Sequence, residues 1–268
     1  MPVDFETGLI INEFKLNQES MSEKRSIFSY CGIMPSMSSF HKFDRCILHI
    51  HGGGFVSMSS SSHQSYTRIW ANDCNTVVFS VDYGLAPQHS FPKAVNDCWQ
   101  VYFWLMEYGE LYLGVKPEKI VLCGDSAGGN LAAAVTTMAV QRGFRVPDGL
   151  LLAYPALVLT KQNFDPSLLL ALDDPILPIA FLNMCLESYA EGPISSMHEY
   201  LSPGLASDET LSKFPKTRIM IASNDPLRDM SIVYALRLTK LGVDVKLKEY
   251  KLLPHGFLNL DNPVLGMN

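Results

Sequence analysis

An α/β fold, a mostly parallel central sheet flanked by helices, is predicted for this 268-residue chain by three observations. Short apolar runs alternate with segments of helical period through most of the sequence. The runs are bounded by turn residues and are apolar throughout, as befits strands buried on both faces. Hydrophobic residues make up 47% of the chain and charged residues 18%, enough to bury a substantial core.

The strands are read at 45–51 (RCILHIH), 76–83 (TVVFSVDY), 119–124 (KIVLCG), 149–154 (GLLLAY), 217–223 (TRIMIAS) and, shorter, 245–250. Between them, Val95, Cys98, Trp99, Tyr102, Leu105 and Met106 mark one buried helix face. Ala127, Leu131, Ala134, Val135 and Met138 mark a second, directly after the third strand. Met230, Tyr234, Leu238 and Leu241 mark a third, with Gly242 placed to end it. Residues 157–213 break the rhythm with the apolar cluster Leu168, Leu169, Leu170 and Leu172, a turn at 173–175 and one helix near 179–189. An insertion of that size between two strands is expected to cap the carboxyl edge of the sheet, where such folds bind ligands. Residues 44–156 and 214–268 are thus the expected core and 157–213 a cap insertion. Residues 1–43, with little period, form an N-terminal segment.

Composition excludes several function classes. With 21 basic and 27 acidic residues the net charge is −6, so a basic footprint for nucleic acid is absent, and there is no polybasic run for an anionic membrane. The start lacks the basic and apolar regions of a signal peptide. The longest apolar stretch, 150–159, contains Pro155 and is too short to span a bilayer, which needs about 20 residues. Six scattered cysteines form no CxxC, and there is no N-x-[ST] sequon, which favours free thiols in a cytoplasmic protein.

The strongest chemical signal is Gly124-Asp125-Ser126-Ala127-Gly128-Gly129, a G-x-S-x-G placed after a strand and before a helix. A sharp turn there exposes the Ser126 hydroxyl and aims the following helix's amides at the reacting centre. The second is His51-Gly52-Gly53-Gly54-Phe55 after the first strand, where backbone amides can approach a substrate oxygen that becomes negative during acyl transfer. Neither nucleotide-binding glycine pattern is present.

A serine nucleophile needs a base and the base an orienting acid, ordered Ser, Asp, His along the chain in hydrolases of this topology. Asp225, after the strand at 217–223, fits the acid, and His255, after the strand at 245–250, fits the base. Asp229 is a rival acid but falls inside the next helix, where an ion pair suits it better. His49 and His51 alternate on one strand face; with no third ligand in view they read as structural, and no metal is assigned. His51 is expected to anchor the glycine loop. His41, His63, His89 and His198 read as surface or loop residues, Ser57 and the serines at 59–62 as the loop and cap of the next helix, and the cysteines as small buried side chains.

Taken together, His51-Gly52-Gly53-Gly54, Asp82-Tyr83-Gly84-Leu85-Ala86-Pro87, Gly124-Asp125-Ser126-Ala127-Gly128-Gly129, Asp225-Pro226-Leu227 and His255-Gly256-Phe257 resemble the hormone-sensitive lipase family of esterases and lipases. Arg145-Val146-Pro147-Asp148-Gly149, Tyr154-Pro155-Ala156 and Asp174-Pro175-Ile176-Leu177-Pro178 extend the resemblance over roughly 45–261. It implies an α/β-hydrolase fold with a helical cap built from residues 1–43 and the insertion. It also implies a Ser126, Asp225, His255 triad, an oxyanion hole from the amides of Gly53, Gly54 and Ala127, and cofactor-free hydrolysis of carboxylic esters, acylglycerols among them. Gln88 departs from the family, which often has Glu there, and the short segments before residue 45 and after His255 suit a compact or truncated member. The implied partner is a small-molecule or lipid ester. The alternatives are an amidase or deacetylase with the same triad, and a non-catalytic small-molecule receptor on the same fold.

Overall fold

The computed structural model describes residues 43–160, 165–170, 172, 174–190 and 197–260. Six strands form one sheet: β1 (Phe43–Ile50), β2 (Val77–Val81), β3 (Val115–Asp125), β4 (Gly149–Ala153), β5 (Lys216–Asn224) and β6 (Val245–Pro254). Their order is β2-β1-β3-β4-β5-β6 and every neighbouring pair is parallel. All carboxyl ends therefore lie along one edge, and the order reverses beside β1, which puts a crevice between the loops after β1 and β3.

The helices are α1 (Gln64–Asp73), α2 (Lys93–Leu113), α3 (Ala127–Gln141), α4 (Pro166–Leu170), α5 (Ile179–Tyr189), α6 (Asp208–Leu211) and α7 (Arg228–Lys240). The predicted inner face of α2 is buried except for a half-buried Met106. The α3 pattern reads from sequence as one apolar stripe, but the helix is buried all round from Ala127 to Ala139. Small residues make that possible, and the Thr136 and Thr137 hydroxyls donate back to the carbonyls of Ala132 (2.8 Å) and Ala133 (3.0 Å). Gly242, at φ 87°, follows α7 as the sequence suggests.

Two strands run longer than sequence indicates. β3 begins at Val115, because Phe43 pairs with Val115 across a register shift that the polar, proline-containing 116–119 stretch conceals. β6 continues to Pro254 past an irregularity between Ala222 and Asn224 of its neighbour. Among the described residues β6 lies at the edge of the sheet, with lysines at 246, 248 and 251, a composition that blunts edge-to-edge pairing but hides the strand's period.

The stretch after β4 is held from both sides. Asn130 Nδ2 on α3 donates to the carbonyls of Ala156 (2.7 Å) and Leu201 (2.9 Å), and Gly204 N donates to Leu157 O (2.8 Å). Leu201, Ala206, Leu211 and Phe214 enter the main core, so residues 200–214 run against its flank, whereas α5 lies over the loop that follows β1. No helix among the described residues is long and apolar enough to cross a membrane.

Candidate active site

β3 ends at Asp125 and α3 starts at Ala127, leaving Ser126 alone to make the turn. It does so at φ 53° and ψ −118°, a conformation that costs a non-glycine residue of order 1–3 kcal/mol and persists only when the surroundings enforce it. Gly128 is one reason it persists: a Cβ there would lie 2.0 Å from Ile50 O, so α3 can approach β1 this closely only with glycine at that position. Ser126 N donates to Ala153 O at 2.9 Å, which fixes the turn against β4. Ser126 stands at the N-cap position of α3, yet its hydroxyl does not cap the helix.

That hydroxyl is instead 2.8 Å from His255 Nε2, and His255 Nδ1 is 2.9 Å from Asp225 Oδ2. Because the ionised carboxylate can only accept, Nδ1 carries the proton and Nε2 is left to accept from Ser126. Asp225 Oδ1 accepts from Leu227 N at 2.8 Å, which pins the carboxylate at the end of β5. Asp225 and His255 are buried, whereas Ser126 is only half-buried. The structure thus brings together three residues drawn from the ends of β3, β5 and β6. Asp229 is elsewhere, accepting from Arg228 Nε (3.0 Å) and Ser167 N (2.9 Å).

Burial draws the His255 pKa down, but the charge and hydrogen bond of Asp225, with Asp174 and Asp125 further off, more than offset it, and the net direction is upward. If neutral His255 is the base, kcat/KM on an ester falls on acidification with a midpoint above the ordinary histidine value of about 6.5. A pH–rate profile checks this; a rate independent of pH down to 5 would contradict it.

The glycine loop lies beside Ser126. Gly53 and Gly54 take φ 109° and 62°, and Phe55 continues at 65°. Gly53 O accepts from Val56 N (3.1 Å) and Ser57 N (3.0 Å), closing the loop on itself. Among the described residues, the amides of Gly53, Gly54 and Ala127 donate to no acceptor. His51 is buried, its Nδ1 donating to Gly52 O at 2.7 Å, its ring stacked on Tyr83 at 4.3 Å. The Tyr83 hydroxyl in turn donates to His51 O at 2.8 Å.

Sequence reasoning missed the network beneath this loop. Asp125 is buried; its Oδ1 accepts from Gly52 N and Tyr66 Oη, both at 3.0 Å, and its Oδ2 lies 3.3 Å from His63 Nε2. Behind Tyr66, His49 Nε2 donates to Tyr66 Oη (2.8 Å) and His49 Nδ1 accepts from Ser80 Oγ (2.7 Å). His49 is thus held by hydrogen bonds at both ring nitrogens. His63 corrects the sequence reading: it is fully buried, because the serine-rich segment forms a 3-10 turn (Ser60–His63) that carries it inward. Its Nδ1 faces Ser59 O (3.1 Å) and Ser62 Oγ (2.9 Å), an environment rich in acceptors. His198 is half-buried rather than a free surface residue, and its Nδ1 accepts from Tyr200 N at 3.1 Å. Cys74 is exposed where a buried role was expected, and His41 and Cys31 lie outside the described residues.

Burial alone would raise the Asp125 pKa, but the imidazoles beside it, His49 with Nε2 3.8 Å from Oδ1 and His63 with Nε2 3.3 Å from Oδ2, hold it well below the usual carboxylate range. Burial lowers His63, and the hydrogen bond and charge of Asp125 more than reverse that, raising it. A depressed carboxylate stabilises the fold above its unfolded pKa and loses that contribution as pH falls through its folded value. A raised histidine stabilises below its unfolded pKa and loses the contribution as pH rises through its folded value. The pair therefore contributes most between the ordinary carboxylate and histidine ranges. Asp125→Ala strands Gly52 N, Tyr66 Oη and His63 without their partner, and urea unfolding at pH 6 is expected to show a loss of about 3–5 kcal/mol. A loss under about 1 kcal/mol, the size of an exposed pair, would show that the network is not closed.

Residues 47–259 match the family described as alpha/beta hydrolase fold. Hormone-sensitive lipase of Mus musculus is 45% identical over 144 residues, covering 54% of this chain and 19% of that protein. Esterase LipI of Mycobacterium tuberculosis is 36% identical over 213 residues, 79% of this chain and 65% of that protein. The hyperthermophilic esterase from the archaeon Pyrobaculum calidifontis superposes with a TM-score of 0.78 at 32% identity, covering 94% of this chain and 86% of that one. The chain thus spans about a fifth of the mammalian lipase and just under two thirds of the mycobacterial esterase. Its six-stranded parallel sheet, its ordered motifs and these relatives agree: the chain belongs to the hormone-sensitive lipase family of α/β hydrolases.

Proposed function

We propose that the chain is a serine carboxylesterase that works through an acyl-enzyme. The observation that carries the reading is the line Ser126 Oγ, His255 Nε2, His255 Nδ1, Asp225 Oδ2, with separations of 2.8 and 2.9 Å at its two polar contacts. Ser126 Oγ attacks the ester carbonyl carbon while His255 Nε2 takes its proton. Asp225 holds the imidazole in the required tautomer and stabilises the imidazolium. The carbonyl oxygen becomes an oxyanion facing the amides of Gly53, Gly54 and Ala127, at the positive end of α3. His255 then gives its proton to the departing alcohol, and a water activated by the same imidazole cleaves the acyl-enzyme. His51 supports the glycine loop from below.

Within the insertion at 157–213, the part before the core-packed stretch from residue 200, together with the N-terminal 1–43, is proposed to cap the site, with α5 lying over the glycine loop. Acylglycerols are the proposed natural class of ester. Support comes from the likeness to a lipase and from the exposed apolar side chains Leu169, Leu170 and Leu172 in the insertion.

Hydrolysis of p-nitrophenyl esters from acetate to palmitate, alongside tributyrin, tests the reading. Turnover on some member of the series is expected, and its optimum sets the acyl length. A folded protein inactive on all of them would contradict the proposal and favour binding without catalysis.

A further inference from the structure

We infer that Cys185 on α5 is a positioning residue for the glycine loop, its side chain holding the Gly54 peptide where the amide meets the substrate oxygen. The inference rests on the acyl-transfer reading above.

Phe181, Cys185 and Tyr189 recur every four residues and so share the inner face of α5. A Cβ built on Gly54 would lie 2.5 Å from Cys185 Sγ, 3.3 Å from Cys185 Cβ and 3.9 Å from Phe181 Cε1. The bare Cα of Gly54 therefore packs directly on the thiol. One residue on, the Phe55 ring stacks on Tyr189 at 3.9 Å and 1°, and Phe91 N donates to Tyr189 O at 2.8 Å.

The loop needs such support. Gly54 and Phe55 both take positive φ, and for Phe55 that conformation is costly. On one side the loop is tied by the bonds that Val56 and Ser57 make to Gly53 O. On the other, the atoms nearest to where a Gly54 Cβ would stand belong to Cys185 and Phe181 of α5. Burial pushes the Cys185 thiol up to about 11, so at neutral pH it is an uncharged group that packs and does not attack. Its size is then what matters: a longer side chain would press on Gly54 and turn its amide away from the oxyanion.

The test is steady-state kinetics on p-nitrophenyl acetate for the wild type, Cys185→Ser, Cys185→Leu and Ser126→Ala, with binding of a trifluoromethyl ketone measured in parallel. The ketone forms a hemiketal oxyanion on a nucleophilic serine and so reads the loop amides directly. For Cys185→Leu, kcat is expected to fall by about 10–100-fold, with KM within about threefold and ketone affinity falling by the same factor as kcat. The conservative Cys185→Ser is expected to recover most of that loss. A folded Cys185→Leu with wild-type kcat and ketone affinity would overturn the inference.

If Cys185→Leu does not fold, Gly54→Ala and Gly54→Ala/Cys185→Ala decide. Removing the sulfur is expected to restore at least about fivefold of what Gly54→Ala loses, and no restoration would overturn the inference. Full activity in Ser126→Ala would instead refute the acyl-transfer reading and this inference with it. Ser126-dependent turnover with an indifferent Cys185 would refute the inference alone.

Discussion

Ser126→Ala is expected to lower kcat for p-nitrophenyl ester hydrolysis by about 10⁶-fold, the scale found when a triad serine is removed from a serine protease. The size of the effect follows from the site's geometry. Ser126 stands half-buried at the turn between β3 and α3, at the carboxyl edge of the sheet, with a basic nitrogen 2.8 Å from its hydroxyl. The substitution removes the attacking atom but leaves Gly53, Gly54 and Ala127 in place, so a small residual rate above water is expected. KM should change little, since the oxygen makes its decisive bond only in the transition state. Retention of more than about 1% of the wild-type kcat would rule Ser126 out as the nucleophile.

Asp225→Asn is expected to cost about 10⁴-fold in kcat at neutral pH with the fold intact. The carboxylate now accepts from His255 Nδ1 (2.9 Å) and from Leu227 N (2.8 Å). An amide in its place can satisfy Leu227 N with its oxygen, but it then presents an NH₂ group to His255. That selects the wrong tautomer, with the proton on the nitrogen that should accept from Ser126, and it removes the charge that stabilises the imidazolium. The loss should shrink at alkaline pH, where hydroxide can take the proton from Ser126. Asp229→Asn, which alters a carboxylate that accepts from Arg228 Nε and Ser167 N, separates the two acids: it is expected to leave kcat within about threefold. The reverse ranking of the two variants would overturn the assignment of the acid.

Much of the fold was legible because the strands β1 to β5 are short, apolar runs separated by helices, and a parallel sheet buried on both faces leaves that mark in a sequence. The site residues were legible for a related reason. The candidate site sits at strand ends, so Ser126, Asp225 and His255 each follow a recognisable apolar run. What sequence could not show were contacts between segments with no shared period. His63 reads as a loop residue beside four serines, and only the 3-10 turn and the partner Asp125, 62 positions away in sequence, reveal it as buried. Asp125 itself was visible inside the G-x-S-x-G signature but occupies its variable position, so nothing local marked it as the acceptor for Gly52 N. Its neighbours at 49, 63 and 66 come from a strand, a turn and a helix. Cys185 was hidden in the same way, since its partner Gly54 lies 131 residues earlier in the chain. The ends of β3 and β6 were lost because lysines and prolines there serve the edge and the register instead of the core.

The most direct test of the central claim is covalent. Incubation of the full chain with an ethyl p-nitrophenyl alkylphosphonate, followed by intact-mass and peptide mass spectrometry, reports where acyl-transfer chemistry takes place. One phosphonyl group per chain is expected, on the peptide that carries Gly124-Asp125-Ser126-Ala127-Gly128. Release of p-nitrophenol should be stoichiometric, and no adduct should form in Ser126→Ala. An active wild type that is not labelled, or is labelled at another residue, would contradict the account.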